Sequence, residues 1–357
     1  MHTITSKPFG TLPDGRTIQS WTLKGPGGLE LEVLEYGARI HRLLVPDRAG
    51  LAEDVVLGRA DLDGYLGMDY HGAYIGRFTN RLGGASFALG DERFDLDTND
   101  GKHNLHGGDA GFHQAVFTVV ETVEGDEPSI TLAYESPDGE SRFPGTLSTQ
   151  VRYTLKKPAT LEIAYRAVSD KATLYNPTNH AFFNLTGGEA KGSILDTVLE
   201  IPASRITVCD EDLIPAGELA SVGAGTGAFD FRDPKPIGRD IAADERLITV
   251  CGGYDQNFCV DGEGFRTHAV ASDPGSGRCM EVLSDLPGVQ LYTFNFGDDA
   301  RVGKRGVFYP PHSAFCLETQ FWPDAPNHPD FAQCTLEPGR EFTTRTEYRF
   351  STLDKDS

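Results

Sequence analysis

A two-residue alternation of apolar and polar side chains limits most strongly what this chain can become. In "VRYTLKK" (151–157), Val151, Tyr153 and Leu155 fall on one face and Arg152, Thr154 and Lys156 on the other. "LEIAYRA" (161–167) repeats the pattern with Leu161, Ile163, Tyr165 and Ala167 inward. "EFTTRTEYRF" (341–350) puts Phe342, Tyr348 and Phe350 on one side and Arg345, Glu347 and Arg349 on the other. Successive side chains of a strand point to opposite faces, so these segments read as strands with one face in a core and one in water. Glycine and proline punctuate them throughout, and "PDG" (13–15) and "SPDG" (136–139) read as turns. Only "IGRDIAADERLI" (237–248) carries a helical spacing, so a helix is expected there. "GAGTGAF" (223–229) is glycine-rich, but no strand–helix unit surrounds it, so it reads as a loop and not as a phosphate cradle. Many strands, frequent turns and few helices predict an all-β domain, a sandwich or a large barrel-like sheet.

At 357 residues the chain is long enough for two domains, yet large all-β domains also run to this length. Its 32 Lys and Arg against 53 Asp and Glu leave a net charge of −21. That balance repels phosphate backbones and anionic membrane surfaces, so nucleic acid and membrane are not expected partners. "MHTITSKPFGTLPDGRTIQS" at the start has no apolar stretch of a signal peptide, and no run of 18 apolar residues occurs. The six cysteines form no CxxC pair. Free buried thiols in a reducing cytoplasm are therefore the expectation.

Polar residues gather in a few segments in a way that a plain core does not need. "GRFTNR" (76–81) ends on Asn80 and Arg81, and "NLHGG" (104–108) holds His106 before two glycines. "NPTNHAFFNLTG" (176–187) sets His180 among three asparagines and two phenylalanines. "YDQNF" (254–258) holds Asp255, "GVQLYTFN" (288–295) holds Gln290, and "CLETQFWPDAPNHPDF" (316–331) holds Glu318 after an apolar entry. Taken singly, each has a plain structural reading: a surface ion pair, a turn former, a core histidine. Glu318 resists that reading most, because a buried carboxylate must be paired or put to use. The spacing of His103 and His106 raises a metal, but no HExxH, cysteine partner or carboxylate-rich loop accompanies it, so no metal is expected. No GxSxG elbow appears either. The set fits sugar chemistry, in which amides, guanidinium and carboxylates pair hydroxyls and aromatic faces cover C–H surface.

Together, in this order, "YGARIHRLLVPDRAG", "GRFTNRLGGASF", "NLHGG", "NPTNHAFFNLTG", "YDQNFCV", "PGVQLYTFNF" and "ETQFWPDAPNHPDF" resemble the aldose 1-epimerases, or galactose mutarotases, over nearly the whole chain. The resemblance implies one large antiparallel β-sandwich over residues 1–357 with the sugar in an open cleft. It implies His180 as catalytic acid, Glu318 as catalytic base, and Asn80, Arg81, His106, Asp255 and Gln290 as sugar contacts. It implies a free aldose such as galactose or glucose as the partner, no cofactor, and a monomer or homodimer. Two positions depart from the usual pattern and bear on substrate preference: Gln256 stands where a histidine is usual and Phe294 where a glycine is usual. Asn176, Asn179 and Asn184 flank the imidazole as candidates to orient it, and the phenylalanines as a wall against water. Two other readings use the same sandwich. A hexose 6-phosphate epimerase needs extra cationic groups, which the motifs lack. A non-catalytic sugar-binding module does not need both His180 and Glu318.

Overall fold

The computed structural model describes residues 4–188, 192–223, 227–298 and 300–353. The three alternating segments are neighbours at the middle of one sheet. Leu147–Lys156 pairs antiparallel with Thr160–Ser169, which pairs antiparallel with Glu341–Thr352. The predicted inward residues are the buried ones: Val151, Tyr153, Leu155, Leu161, Ile163, Ala167 and Tyr348 have almost no exposure. Six further strands extend this sheet to nine.

Two five-stranded antiparallel sheets complete the sandwich. The first is a meander of Ile4–Thr11, Thr17–Lys24, Glu30–Leu34, Arg39–Pro46 and Ala52–Asp54. The second has the order Pro215–Ser221, Ala203–Cys209, Asp255–Val260, Gly288–Tyr292 and Cys316–Gln320. One continuous apolar core takes Leu31 and Val33 from the first, Val151 and Tyr348 from the nine-stranded sheet, and Phe258, Val289 and Leu317 from the second. Two polar bridges cross the same core. The Tyr153 hydroxyl donates to the Ala38 carbonyl at 2.5 Å, and the Thr319 and Thr346 hydroxyls meet at 2.5 Å.

The helix expected over 237–248 does not form as such. Ile237–Arg239 is a short 3-10 turn and the α-helix is displaced to Arg246–Cys251. The apolar residues behind that spacing still reach the core, Ile237 and Ile248 fully and Ile241 and Leu247 partly. They do so from separate turns, because a short helix has no stability of its own and tertiary packing decides its bounds. Of the glycine-rich 223–229, Gly227–Phe229 is a 3-10 turn and residues 224–226 lie outside the described residues. All six cysteines are free, five of them buried. No helix among the described residues is long and apolar enough to cross a membrane.

Candidate active site

Strand pairing in the second five-stranded sheet builds the floor of a cleft. Gln290 lies opposite Glu318, and Tyr292 opposite Cys316. On the other side of that central strand, Asp255 lies opposite Tyr292 and Asn257 opposite Gln290. The strand period of two puts Asp255, Gln290, Tyr292, Cys316 and Glu318 on one face, while Leu317 and Thr319 turn into the sandwich core. The same alternation explains Gln256. Its side chain points to the opposite face, where its amide donates to the Thr207 carbonyl and, at 3.2 Å, to the Thr207 hydroxyl. That departure from the usual pattern therefore does not reach the cleft.

The segment 176–187 is laid across the floor by its asparagines. Asn176 accepts from the Phe321 amide at 2.9 Å and donates to the Phe321 carbonyl at 3.2 Å, which ties it to the end of the Glu318 strand. Asn179 donates to the Gly72 carbonyl, and Asn184 donates to the Ser313 and Gly192 carbonyls. These residues fix the backbone; none of them touches the imidazole, contrary to the expectation that they orient it. His180 Nδ1 lies 3.6 Å from Cys316 Sγ. The ring plane is set by stacking, with Phe182 on one face at 4.8 Å and Tyr70 on the other at 5.8 Å between centroids. Phe182 walls the cleft as expected of the phenylalanine pair, while Phe183 points into the main core.

His106 is locked from behind. The Asn80 amide donates to His106 Nδ1 at 3.1 Å, and the His106 amide donates to the Asn80 carbonyl at 3.1 Å. Both residues hold left-handed backbone, with φ of 68° and 53°. A neutral imidazole that accepts at Nδ1 carries its proton on Nε2, so His106 presents a donor to the cleft. This matters because His106, His180 and Glu318 offer atoms within 4.8 Å of one another, a donor set of the type that holds divalent cations. A neutral His106 in that tautomer has no free nitrogen left for a metal. His103, the other histidine of the suspected pair, faces elsewhere: it accepts from the Gly84 amide and meets Asp212.

All seven residues singled out from the sequence, Asn80, Arg81, His106, His180, Asp255, Gln290 and Glu318, line this one cleft of about 320 Å³. His180 Nε2 stands 3.4 Å from Glu318 Oε1. Arg81 donates to Asp100 at 2.8 Å and lies 3.8 Å from Asp255, and Gln290 donates to Asp255 at 2.6 Å. Glu318 Oε2 is buried with no hydrogen-bond partner among the described residues. Burial pushes the Glu318 carboxyl well above the usual carboxylate range; Asp255 adds to this and Arg81 opposes it. Burial, reinforced by nearby His71, holds the His180 imidazole down to about 3. Burial also raises Asp255, against Arg81 and Gln290. Two groups pushed apart in this way share one proton over the interval between their values. A wider groove of about 700 Å³ lies elsewhere, over the outer strand faces that carry Gln150, Arg166 and Arg345. It holds no comparable acid–base pair.

Sequence reasoning missed the rings that enclose the cleft, Tyr70, Tyr292 and Phe296, and the thiol of Cys316. Cys316 carried a usable signal, since it stands two residues before Glu318 in a strand and so shares its face. Missed too was the charge network behind the stack. Asp69 is buried among Arg39, Arg59 and His71, and the His71 ring stacks on Phe182 at 4.2 Å.

Comparison with known proteins decides the family. The aldose 1-epimerase family model matches residues 19–349. The chain belongs to the aldose 1-epimerase family. It is 41% identical to the galactose mutarotase of Bos taurus over 354 residues, covering 98% of this chain and 99% of that one. It is 33% identical to the aldose 1-epimerase of Escherichia coli K12 over 346 residues, 95% of this chain and 96% of that one. Its fold is similar to the crystal structure of galactose 1-epimerase from Lactobacillus acidophilus NCFM, with a TM-score of 0.87 at 26% identity, over 99% of this chain and 100% of that one. This aldose 1-epimerase is thus a carbohydrate epimerase on the β-sandwich expected from the sequence.

Proposed function

We infer that the cleft interconverts the α and β anomers of a free aldose such as galactose or glucose, with Glu318 as base and His180 as acid. Glu318 takes the proton of the anomeric hydroxyl while His180 gives one to the ring oxygen. The ring opens to the aldehyde, the C1–C2 bond turns, and closure on the other face reverses the two transfers. The singly protonated pair is the competent form: burial rests its proton on Glu318, and transfer to His180 across the 3.4 Å contact leaves Glu318 ionised, so that acid and base stand ready together. The 3.4 Å contact of Nε2 and Oε1, in a cleft where Arg81, His106, Asp255 and Gln290 supply hydroxyl-pairing groups, carries this reading. Asn80, Arg81, His106, Asp255 and Gln290 serve as the sugar contacts. Among the described lining residues the only lysine or arginine is Arg81, already engaged by Asp100 and Asp255, which favours an uncharged sugar over a sugar phosphate.

Polarimetry on freshly dissolved α-galactose and α-glucose tests the reading. The optical rotation should decay far faster with the protein than in buffer. Decay at the buffer rate for every free aldose tried would refute it, and a faster rate on glucose 6-phosphate than on galactose would favour the phosphate reading.

A further inference from the structure

Phe294 sits in the left-handed backbone region at φ 47°. For a bulky side chain that conformation is an outlier, retained where the surrounding structure holds the residue in place. The ring is buried in the cleft wall, edge-on to Phe182 at 5.4 Å and to His71 at 5.8 Å. Since Phe182 stacks on His180, the surroundings of the imidazole are divided. His106, Arg81, Asp255 and Gln290 supply the hydrogen-bonding groups. The wall of Phe182 and Phe294, continued by Phe296, supplies none. The Tyr292 ring packs beside it, edge-on to Phe182 at 6.2 Å.

An aldopyranose is divided in the same way. C1 to C4 each carry a hydroxyl, whereas C5 carries only the exocyclic C6. The ring oxygen protonated by His180 is bonded to C1 and C5, so C6 is the exocyclic substituent next to the acid apart from the anomeric hydroxyl. Matching the C2, C3 and C4 hydroxyls to the polar groups turns C5 toward Phe182 and Phe294. We propose that this site selects aldoses without a C6 hydroxyl, the 6-deoxyhexoses and the pentopyranoses, and that the Phe294 ring sets the preference; this rests on the acid–base reading above. A C6 hydroxyl pressed against these rings loses water and gains no partner, while a methyl group or a hydrogen is accommodated.

D-Galactose, 6-deoxy-D-galactose and L-arabinose share their C2–C4 configuration and differ at C6, so they form the test series. Anomer exchange measured by polarimetry should give kcat/KM for the latter two about 10-fold or more above galactose, the scale on which an apolar pocket treats an added hydroxyl. Phe294→Gly removes the ring and suits the backbone, and should bring the three sugars close together. Phe294→Asn, which also tolerates left-handed backbone, puts an amide on the wall and should raise galactose relative to the others. A wild-type preference at or below one overturns the proposal. A preference that persists unchanged in either folded variant overturns the assignment to Phe294. Inactivity of the wild type on all three sugars would instead remove the acid–base reading on which the proposal rests.

Discussion

Glu318→Gln keeps the shape of the side chain and removes its charge, so turnover should fall by several orders of magnitude with the fold intact. His180→Asn keeps a donor that cannot cycle a proton, and should fall comparably, since positioned acid–base groups are each worth about 10²–10⁴-fold. The two act as one unit, so the double variant should be little worse than the poorer single one. Near-normal rates in folded Glu318→Gln would move the base elsewhere, with Asp255 the next carboxylate to test. The pH profile carries a second check. A second proton enters the pair only near His180's value of about 3, and the last proton leaves only above the ordinary carboxylate range. The kcat/KM bell should therefore have its acidic limb well below the ordinary histidine value of about 6.5. Asp255 raises Glu318 and Arg81 lowers it. Asp255→Ala should thus move the alkaline limb down in pH, and Arg81→Ala should move it up. Both variants should also weaken sugar handling through KM; unchanged kinetics and unchanged limbs would make these two residues peripheral.

At the scale of elements, Asn176 joins the His180 segment to the end of the Glu318 strand and to Thr79. Asn176→Ala leaves the part-buried Phe321 amide without its acceptor, at a cost of about 1 kcal/mol. Urea unfolding should show that loss, and kcat should fall although Asn176 does not touch His180; stability and kcat both unchanged would mean that this tie does not hold the two elements in register. The sequence made the elements themselves legible wherever alternation was strict, as at 151–157 and 161–167, because burial of one face leaves a two-residue record. The helix at 237–248 was misplaced because its apolar residues are buried by separate turns, and spacing alone cannot tell that from one helix. The members of the site were legible as polar segments out of keeping with a core. Their arrangement was not. That Gln290 faces Glu318, or that Cys316 lies behind His180, follows from strand register and long-range pairing, which no local pattern encodes. The asparagines of 176–187 misled for a related reason: they were read as side chains serving a ring, whereas their amides satisfy the backbone of distant segments.

For the molecule as a whole, the buried histidines set how stability depends on pH. Burial lowers the imidazoles of His41, His71, His106, His113, His180 and His268, to about 3 for His113 and His180 and about 4 for His268. Each titrates below its unfolded counterpart, which protonates near 6.5. The unfolded chain therefore binds more protons between about 6.5 and 4, and stability must fall as pH falls through that window, by about 1.4 kcal/mol per pH unit for each proton taken up. Glu318, Asp255 and Asp324 oppose this, since burial raises their carboxyls and the folded state keeps protons that the unfolded state gives up as pH rises above 4. Near pH 5.5 the unfolded imidazoles are mostly protonated, while the three raised carboxyls hold at most one proton each in the folded state, so six groups against three leave the histidines dominant. The urea midpoint should accordingly drop steadily from pH 7 to pH 5. His268 lies outside the cleft lining, and its two ring nitrogens meet the Arg266 and Leu286 carbonyls at 3.0 and 2.8 Å, which favour the charged ring but are outweighed by burial. His268→Gln keeps a donor for one of them and cannot titrate, so it should lower stability at pH 7 and flatten the pH slope by one proton's worth. A wild-type midpoint that stays level from pH 7 to pH 5, or a His268→Gln slope identical to wild type, would show that these imidazoles are not held neutral by burial.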